Sequence, residues 1–511
     1  MAGAVSQGPE PLFIRVRFGH AVGLTRSWGV SGSPERLCPV SPSIVAIRQK
    51  RRSAPVQEHL SEDQATAIPI LPLTRIRWQD WRNTDPAAGW AAANGFTAEA
   101  GSICPVPGAD GALSSILFGW DDSDPWCWAH LPAKLPKGVF RIDAALDADT
   151  AGWAALGWSL ACYQFNRYQP GKNREWPVLV WPAAARKDEV RATVEAYRLV
   201  RDLVNTPSSD MGPEELAAAA RDLADRTGGQ FRAIVGDALL SEGYPAVHAV
   251  GRASVRAPRL IDLTWGDPAA PRVTLVGKGV CFDSGGLDIK GSAGMKLMKK
   301  DMGGAAHALG LASLIVAMRL PVRLRVLIPA VENSVSGNAF RPLDVLPTRK
   351  GLTVEVGNTD AEGRLILADA LAEADRDKPG LIVDMATLTG AARTALGPDL
   401  PAMFTPDDDL AGEIEAASRD VHDPLWRLPL WKNYRRMLDS KVADINNASD
   451  SPFAGAVTAA LFLQEFVSPG TPWVHFDLFA WNPAARPGRP EGGEAMVIRA
   501  LYRMIARRHP S

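Results

Sequence analysis

The segment Val273-Thr-Leu-Val-Gly-Lys-Gly-Val-Cys-Phe-Asp-Ser-Gly-Gly286 decides how the second half of the chain folds, because an apolar run leads directly into a charged, glycine-rich stretch. Val273–Val276 is short and rich in β-branched residues, which predicts a buried strand. The glycines after it permit tight turns and close approach of a ligand. A phosphate-binding loop would need Gly-Lys-Ser/Thr before a helix, and the segment lacks that pattern. It therefore predicts a strand followed by a ligand-binding turn with Lys278 and Asp283.

Strand and helix patterns alternate through the region around this segment. This alternation predicts an α/β fold in which a mainly parallel central sheet is covered by helices on both faces. Ligands in such sheets bind beyond the carboxyl ends of the strands, where the charged motifs fall. In chain order we predict the helix Glu189–Leu203, a helix from Pro213, the strand Val273–Val276, the helix Ala305–Met318, the strands Val322–Ala330 and Leu352–Val356, the helix Ile366–Ala374, the strand Leu381–Met385, a helix through Ala391–Leu396 and the strand Trp473–Phe479.

The length of 511 residues predicts more than one domain, since a single core rarely extends so far. Eleven of the 16 tryptophans lie between Trp28 and Trp181, in a half with a mixed pattern of elements. We predict an N-terminal α/β domain over 61–190 and a second domain, which contains the charged motifs, over 191–511. The tryptophans favour a core or an oligomer interface over a sugar or base site. Residues 1–60 are predicted to be a disordered extension or a misassigned start, although a transit peptide shares their bias.

The overall charge and the cysteines narrow the class of protein. The formal net charge is −1, so no bulk field favours nucleic acid or an anionic membrane as a partner. No apolar run is long enough to cross a bilayer. The five cysteines are scattered and include no Cys-x-x-Cys pair, which indicates a reducing compartment. We therefore expect a cytoplasmic protein.

Two further motifs contain carboxylates, Lys299-Lys-Asp-Met302 and Asn358-Thr-Asp-Ala-Glu-Gly-Arg-Leu365. Taken alone, Asp301 would be interpreted as a helix cap. The second motif alone would be interpreted as a surface turn with an acid–arginine ion pair. Taken together with Asp283, the motifs predict at least four converging carboxylates. Such a cluster takes up protons unless cations compensate it, and carboxylates suit hard or borderline divalent ions. Histidine is scarce near the motifs, so a histidine-rich zinc site is not expected.

These three motifs resemble the signature set of the leucyl aminopeptidases, which are two-metal, typically hexameric exopeptidases. The resemblance covers about residues 185–500 and is faint before that. The eight-residue motif ending at Leu365 is its most specific part. Further stretches agree with the family: Arg201–Pro207, Pro329–Asn333, Gly337–Pro342, Ala386–Gly390 and Val442–Asn447.

The resemblance implies a role for each motif residue. The metal ligands would be Lys278, Asp283, Asp301, Asp360 and Glu362. Asp283 and Glu362 would bridge two divalent ions, and Lys278 would bind as a neutral amine. Mn²⁺ or Zn²⁺ are the expected ions, with Mg²⁺ or Co²⁺ also suitable. Lys290 would lie near the substrate carbonyl, and Arg364 would hold a bicarbonate ion as general base. The implied partners are peptides with a free N-terminus and, in a homohexamer, five further copies of the chain.

The chain departs from the family pattern near the expected substrate pocket. Lys300 stands where relatives often have tyrosine, Gly357 replaces a larger apolar residue, and the stretch after Asp477 lacks the usual small residues. These departures put the implied leucine-like preference in doubt, although none is a proposed ligand. Met298 and the stretch 386–390 would border the pocket for the first side chain. Two alternatives stay open from the residues. One is a two-metal phosphoesterase, and the other is a non-catalytic DNA-binding or structural protein, although the near-zero net charge gives DNA binding no support.

Overall fold

A computed structural model describes residues 59–169 and 171–510 of the chain. The predicted extension 1–60 lies outside these residues, apart from His59 and Leu60. Within them the chain is mixed α/β, with an N-terminal sheet and a larger C-terminal sheet. No helix in these two ranges is both long and apolar enough to span a membrane.

The N-terminal sheet has the strand order β1-β6-β5-β2-β4-β3, and only the β3–β4 pair is antiparallel. Its strands are β1 Leu60–Ser61, β2 Ile68–Leu73, β3 Ile103–Pro107, β4 Leu113–Gly119, β5 Val139–Ile142 and β6 Val178–Val180. Its helices are α1 Arg75–Thr84, α2 Ala88–Ala93, α3 Leu131–Lys134 and α4 Ala148–Ala161, and Cys127–His130 forms a 3₁₀ turn. Trp128 and Trp158 are buried in its core, as the core interpretation of the tryptophans expects.

The remaining strands build one large sheet and two small ones. In chain order they are β7 Gln230–Val235, β8 Arg259–Trp265, β9 Arg272–Gly277, β10 Gly279–Asp283, β11 Arg323–Asn333, β12 Val345–Pro347, β13 Thr353–Glu355, β14 Leu381–Ala386, β15 Ala402–Phe404, β16 Trp426–Arg427, β17 Ile445–Asn446, β18 Trp473–Asp477, β19 Trp481–Asn482 and β20 Gly492–Gly493. The large sheet has the order β16-β15-β18-β14-β9-β11-β8-β7, with β10 beside β11. Its central strands β18, β14, β9 and β11 are parallel. The predicted mainly parallel sheet is confirmed.

Helices cover both faces of this sheet. They are α5 Lys187–Asn205, α6 Pro213–Thr227, α7 Ala238–Ser241, α8 Pro245–Gly251, α9 Ser292–Met295, α10 Gly303–Ala317, α11 Glu362–Arg376, α12 Gly390–Leu396, α13 Asp408–Asp420, α14 Gly455–Gln464 and α15 Ile498–Arg508, with 3₁₀ turns at Met298–Met302 and Lys432–Leu438. Successive side chains of a strand point to opposite faces. Accordingly Leu381 and Val383 pack in one apolar cluster with α10, whereas Ile382 packs in another with α11.

One apolar cluster continues from the N-terminal sheet into the C-terminal half. It joins Phe118 and Trp128 of the first sheet to Val200 of α5, Leu309 of α10 and Leu501 of α15. The predicted domain division between 190 and 191 falls inside α5, which connects the two sheets along the chain. The boundary itself stays a prediction.

The glycine-rich segment differs from the sequence expectation in one respect. The residues after Lys278 are not yet a turn, because Gly279–Asp283 forms β10 and pairs in parallel with β11. The turn comes only after Asp283, where Gly285 and Gly286 have φ values of +89° and +65°. Backbone in this left-handed region favours glycine. A strand of five residues that includes only a few apolar side chains was too short to be recognised from its pattern.

The contact between α10 and β14 predicts the effect of a single methyl group. A Cβ atom at Gly304 would lie 2.0 Å from the backbone oxygen of Met385. Gly304→Ala should therefore lower the free energy of unfolding by about 1–3 kcal/mol, since helix and strand must separate. Gly412→Ala is the matched control, because nothing lies within 4 Å of its Cβ position on α13 and alanine favours a helix by about 0.5–1 kcal/mol. Urea unfolding of both variants measures the difference, and equal stability would contradict the packing described here.

Candidate metal centre

The three charged motifs meet at the carboxyl ends of the central strands. Asp283 is the last residue of β10, Asp301 lies in the 3₁₀ turn before α10, and Glu362 is the first residue of α11. One carboxylate oxygen from each lies within 4.8 Å of the others, and all three side chains are buried. The structure therefore brings together acids that are far apart in the sequence.

Two lysines lie among the acids, and one of them, Lys290, connects the group to Asp360. Lys278 Nζ lies 2.8 Å from Asp301 Oδ2 and 3.0 Å from Glu362 Oε1. Lys290 Nζ lies 2.7 Å from Asp283 Oδ2 and also contacts Asp360 Oδ1. All five predicted ligands and Lys290 thus belong to one contiguous cluster.

Glycines allow the motifs to approach one another this closely. A Cβ atom at Gly363 would lie 2.5 Å from Lys278 Cε, so a side chain there would collide with the lysine. A Cβ atom at Gly285 would lie 2.5 Å from the backbone oxygen of Asp288 and 3.2 Å from Asp360 Oδ1. The glycines of the motifs therefore serve the close contacts between them.

Neighbouring polar side chains hold the acids in place. Asn333 Nδ2 donates to Asp283 Oδ1 at 2.9 Å and to the Thr359 carbonyl at 3.1 Å. Thr387 Oγ1 donates to Asp301 Oδ1 at 2.8 Å, and the Thr387 carbonyl accepts from Lys278 Nζ at 3.0 Å. Sequence reasoning placed Asn333 in a family-like stretch and Thr387 in the stretch expected to border the substrate pocket, but it predicted no contact between either residue and the acids. The available signal was their position, because Asn333 ends β11 and Thr387 directly follows β14.

The loop before α11 is fixed by two further residues that the sequence did not single out. Asp288 Oδ2 accepts from Thr359 N at 2.7 Å, and Asp288 N donates to Thr359 Oγ1 at 2.8 Å. Asn447 Oδ1 accepts from Gly357 N at 2.8 Å, while its Nδ2 donates to the Asn358 carbonyl at 2.8 Å. These bonds position the backbone that presents the last two acids.

The charges in the cluster do not balance. Four acids and two lysines leave a formal charge of −2, from the four carboxylates Asp283, Asp301, Asp360 and Glu362 minus Lys278 and Lys290. Burial and the neighbouring Asp283 carboxylate raise the pKa of Glu362 to about 8 and that of Asp360 to about 6. Burial alone would lower the pKa of Lys278, but the carboxylates around it raise the value instead.

This surplus of negative charge fits divalent cations. Glu362 Oε2 is buried and receives no hydrogen bond from any described residue, so it has a lone pair available for a ligand. Carboxylate oxygens and one amine form a donor set that suits hard and borderline divalent ions. Binding through Lys278 would require loss of its proton, which a nearby dication favours.

Arg364 lies on α11, two residues after Glu362, and is buried. Its Nη1 donates to the Asn447 carbonyl at 2.7 Å, whereas no described residue accepts from its Nε. Burial lowers its pKa to about 10, so it still has a proton and a positive charge at neutral pH. A buried cation with a free donor is suited to hold a small anion.

The structure does not support the simpler interpretations of the two later motifs. The residue before α10 is Met302, and it makes no side-chain cap. Asp301 instead contacts Lys278 through Oδ2 and Thr387 through Oδ1. Glu362 and Arg364 are buried instead of forming a surface turn. His307 lies within α10, where its Nδ1 contacts the Gly303 carbonyl, so it belongs to the helix and not to the cluster.

Comparisons with known proteins identify relatives of this chain. The model of the cytosol aminopeptidase family catalytic domain matches residues 198–502, and that of the M17 aminopeptidase N-terminal domain matches residues 68–182. A probable cytosol aminopeptidase of Syntrophotalea carbinolica is 41% identical over 366 residues, which cover 68% of this chain and 73% of the relative.

Two solved structures share the fold. The cytosol aminopeptidase of Coxiella burnetii has a TM-score of 0.85 and 50% identity, covering 88% of this chain and 99% of its own. The bottromycin maturation enzyme BotP, solved in complex with Mn, has a TM-score of 0.77 and 35% identity, covering 86% of this chain and 99% of its own. The family model spans more than half of the chain, and these relatives extend the likeness over both sheets. The chain therefore belongs to the cytosol aminopeptidase family of hydrolases.

Proposed function

We propose that this aminopeptidase hydrolyses the N-terminal peptide bond of peptides by means of two divalent cations. The observation that supports the proposal most is the buried convergence of Asp283, Asp301 and Glu362, whose donor oxygens lie within 4.8 Å of one another. The proposed ligands are Lys278, Asp283, Asp301, Asp360 and Glu362, with Asp283 and Glu362 shared between the ions.

The cations and the chain have separate tasks in this proposal. When bound, two divalent ions would polarise the scissile carbonyl and lower the pKa of a nearby water. The carboxylates fix where the ions bind, because Asn333 and Thr387 hold Asp283 and Asp301 by hydrogen bonds. Mn²⁺ is the first candidate, since the similar BotP was solved with Mn; Zn²⁺, Mg²⁺ and Co²⁺ also suit these ligands.

Lys290 and Arg364 would act on charge and protons during the reaction. The Lys290 ammonium lies beside Asp283 and Asp360, where it would stabilise negative charge that develops on the carbonyl oxygen. Arg364 offers an unpaired Nε donor within a buried site. We propose that it holds bicarbonate, which would carry the proton from the attacking water to the leaving amine.

Three further properties rest on the family resemblance and belong to the proposal. They are a homohexameric assembly, a location in the cytoplasm and a leucine-like preference for the first residue. The four described cysteines are buried free thiols, which is compatible with a reducing compartment. The preference for the first residue depends on the pocket beside the centre, where this chain departs from the family pattern.

Loss of one ligand charge should abolish turnover without unfolding the protein. Glu362→Gln keeps the shape of the side chain but removes the charge that would bridge the cations, and Asp360→Asn does the same at the loop. Hydrolysis of leucine p-nitroanilide should fall below detection in both variants, while circular dichroism and thermal unfolding stay near the wild type. Glu214→Gln, an exposed acid at the start of α6, is the control and should keep wild-type activity. Near-normal activity of either ligand variant would contradict the assignment.

Removal of the metal should be reversible, and the content should be countable. Chelation of the purified protein should abolish activity, and refilling with Mn²⁺, Zn²⁺, Mg²⁺ or Co²⁺ should restore it to different extents. Elemental analysis by mass spectrometry should find two ions per chain in the refilled wild type and fewer in Glu362→Gln. Full activity after exhaustive chelation would sink the metal proposal, and a single tightly bound ion would sink its two-metal form.

A further inference from the structure

A buried ammonium without a carboxylate partner lies next to the metal centre. Lys300 immediately precedes the proposed ligand Asp301, and only 6% of its surface is exposed. Among residues 59–169 and 171–510, no carboxylate or carbonyl oxygen accepts a hydrogen bond from its Nζ. The Nζ atom itself nevertheless retains some contact with solvent. A buried charge is costly unless it is paired, so the Lys300 ammonium is able to form an ion pair that no described residue provides.

The Lys300 side chain lies against an aromatic ring that a second, exposed cation also approaches. Its Nζ lies 4.8 Å from the centre of the Phe479 ring, which offers a weak cation–π contact. Arg393 approaches the same ring, with its Cζ 5.0 Å from the centre. Two cations therefore flank one aromatic ring that follows β18. No ion pair within the described part of the chain neutralises either of them.

The acids nearest to this pair are already occupied. Both oxygens of Asp301 are engaged, one by Lys278 and the other by Thr387. Asp477 accepts from the backbone N–H groups of Leu388 and Thr389 and from the Thr389 hydroxyl. Both acids attract the Lys300 ammonium, but neither accepts a hydrogen bond from its Nζ, so that group can still donate hydrogen bonds to a carboxylate from outside the chain.

The position of the pair relates it to the substrate. Lys300, Phe479 and Arg393 all lie on segments at the carboxyl ends of the central strands: the turn before α10, the loop after β18 and the helix α12 after β14. The first side chain of a peptide is attached to the carbon between the free amino group and the scissile carbonyl. It must therefore project from the metal centre into its immediate surroundings.

We propose that Lys300, with Phe479 and Arg393, forms a cationic subsite that binds the carboxylate of an acidic first residue, glutamate or aspartate. The inference rests on the proposed function, since it needs the peptide to be anchored at the metal centre. The phenyl ring packs against the methylene groups of the substrate side chain, and Lys300 forms the ion pair. The leucine-like preference implied by the family is thereby shifted in this chain toward acidic N-termini.

The test compares substrates that differ in charge but hardly in shape. Wild-type enzyme refilled with Mn²⁺ is assayed at neutral pH on the p-nitroanilides of glutamate, glutamine, aspartate and leucine. The expected result is a kcat/KM for glutamate that exceeds that for glutamine by about 10-fold or more, because a hydrogen bond to a charged partner contributes that much. The ratio is measured within one preparation, so incomplete folding or metal loading affects both substrates alike.

Variants test whether the glutamate-to-glutamine ratio of kcat/KM depends on Lys300. Lys300→Met should reduce the glutamate-to-glutamine ratio to about 1, mainly through KM for glutamate, and Lys300→Arg should restore much of it. Lys296→Met removes the same charge from an exposed position of the same segment and should leave the ratio unchanged. A wild-type ratio near 1 with good turnover of leucine would overturn the subsite and leave the aminopeptidase proposal standing. A high ratio that survives in Lys300→Met would also overturn it, and no turnover of any anilide would overturn both proposals.

Discussion

Mutual repulsion among carboxylates places the main demand on the surrounding structure, because Asp283, Asp301 and Glu362 converge in a buried site while Lys290 holds the partly exposed Asp360 beside them. Lys278 and Lys290 lie between the acids and offset part of that repulsion. Burial, together with the Asp283 carboxylate, still raises the pKa values of Glu362 and Asp360. The folded chain maintains this group of acids only if the rest of the structure holds them rigidly. The surplus negative charge must also have a function.

The rigidity comes from the central sheet. Parallel strands end at one edge, so β9, β10, β11 and β14 deliver their next residues to the same place. Backbone hydrogen bonds fix these strand ends, and apolar clusters on both faces clamp the sheet between helices. The loop that presents Asp360 follows β13 of a small sheet and not a strand of the large one, and it depends on Asp288 and Asn447 for its position.

Many of the helices and strands could be predicted from the sequence, since apolar patterns indicate which neighbouring residues are buried. The strand Leu381–Met385 and the helix Ala305–Met318 were recognisable, because each is mainly apolar and is buried over nearly its whole length. The motif residues were recognisable because the family resemblance is specific. The hydrogen bonds of Asn333, Thr387 and Asn447 were not, although family-like stretches include these residues, because an amide or hydroxyl that holds a carboxylate or a loop backbone leaves no periodic signal. The strand β10 was missed for a related reason: its partner β11 is 40 residues or more away, and pairing across that distance is invisible to a local pattern.

The apolar cluster that runs from Phe118 and Trp128 through α5 to α10 and α15 has a consequence for how the chain can be divided. The helix α10 follows the turn that contains Asp301. Its apolar residues belong to the same continuous cluster as those of the N-terminal sheet. Excision of the residues before α5 would uncover the apolar surface of α5 that packs against α4, and α5 in turn packs against α10. A shortened chain would therefore have to cover that surface with something else.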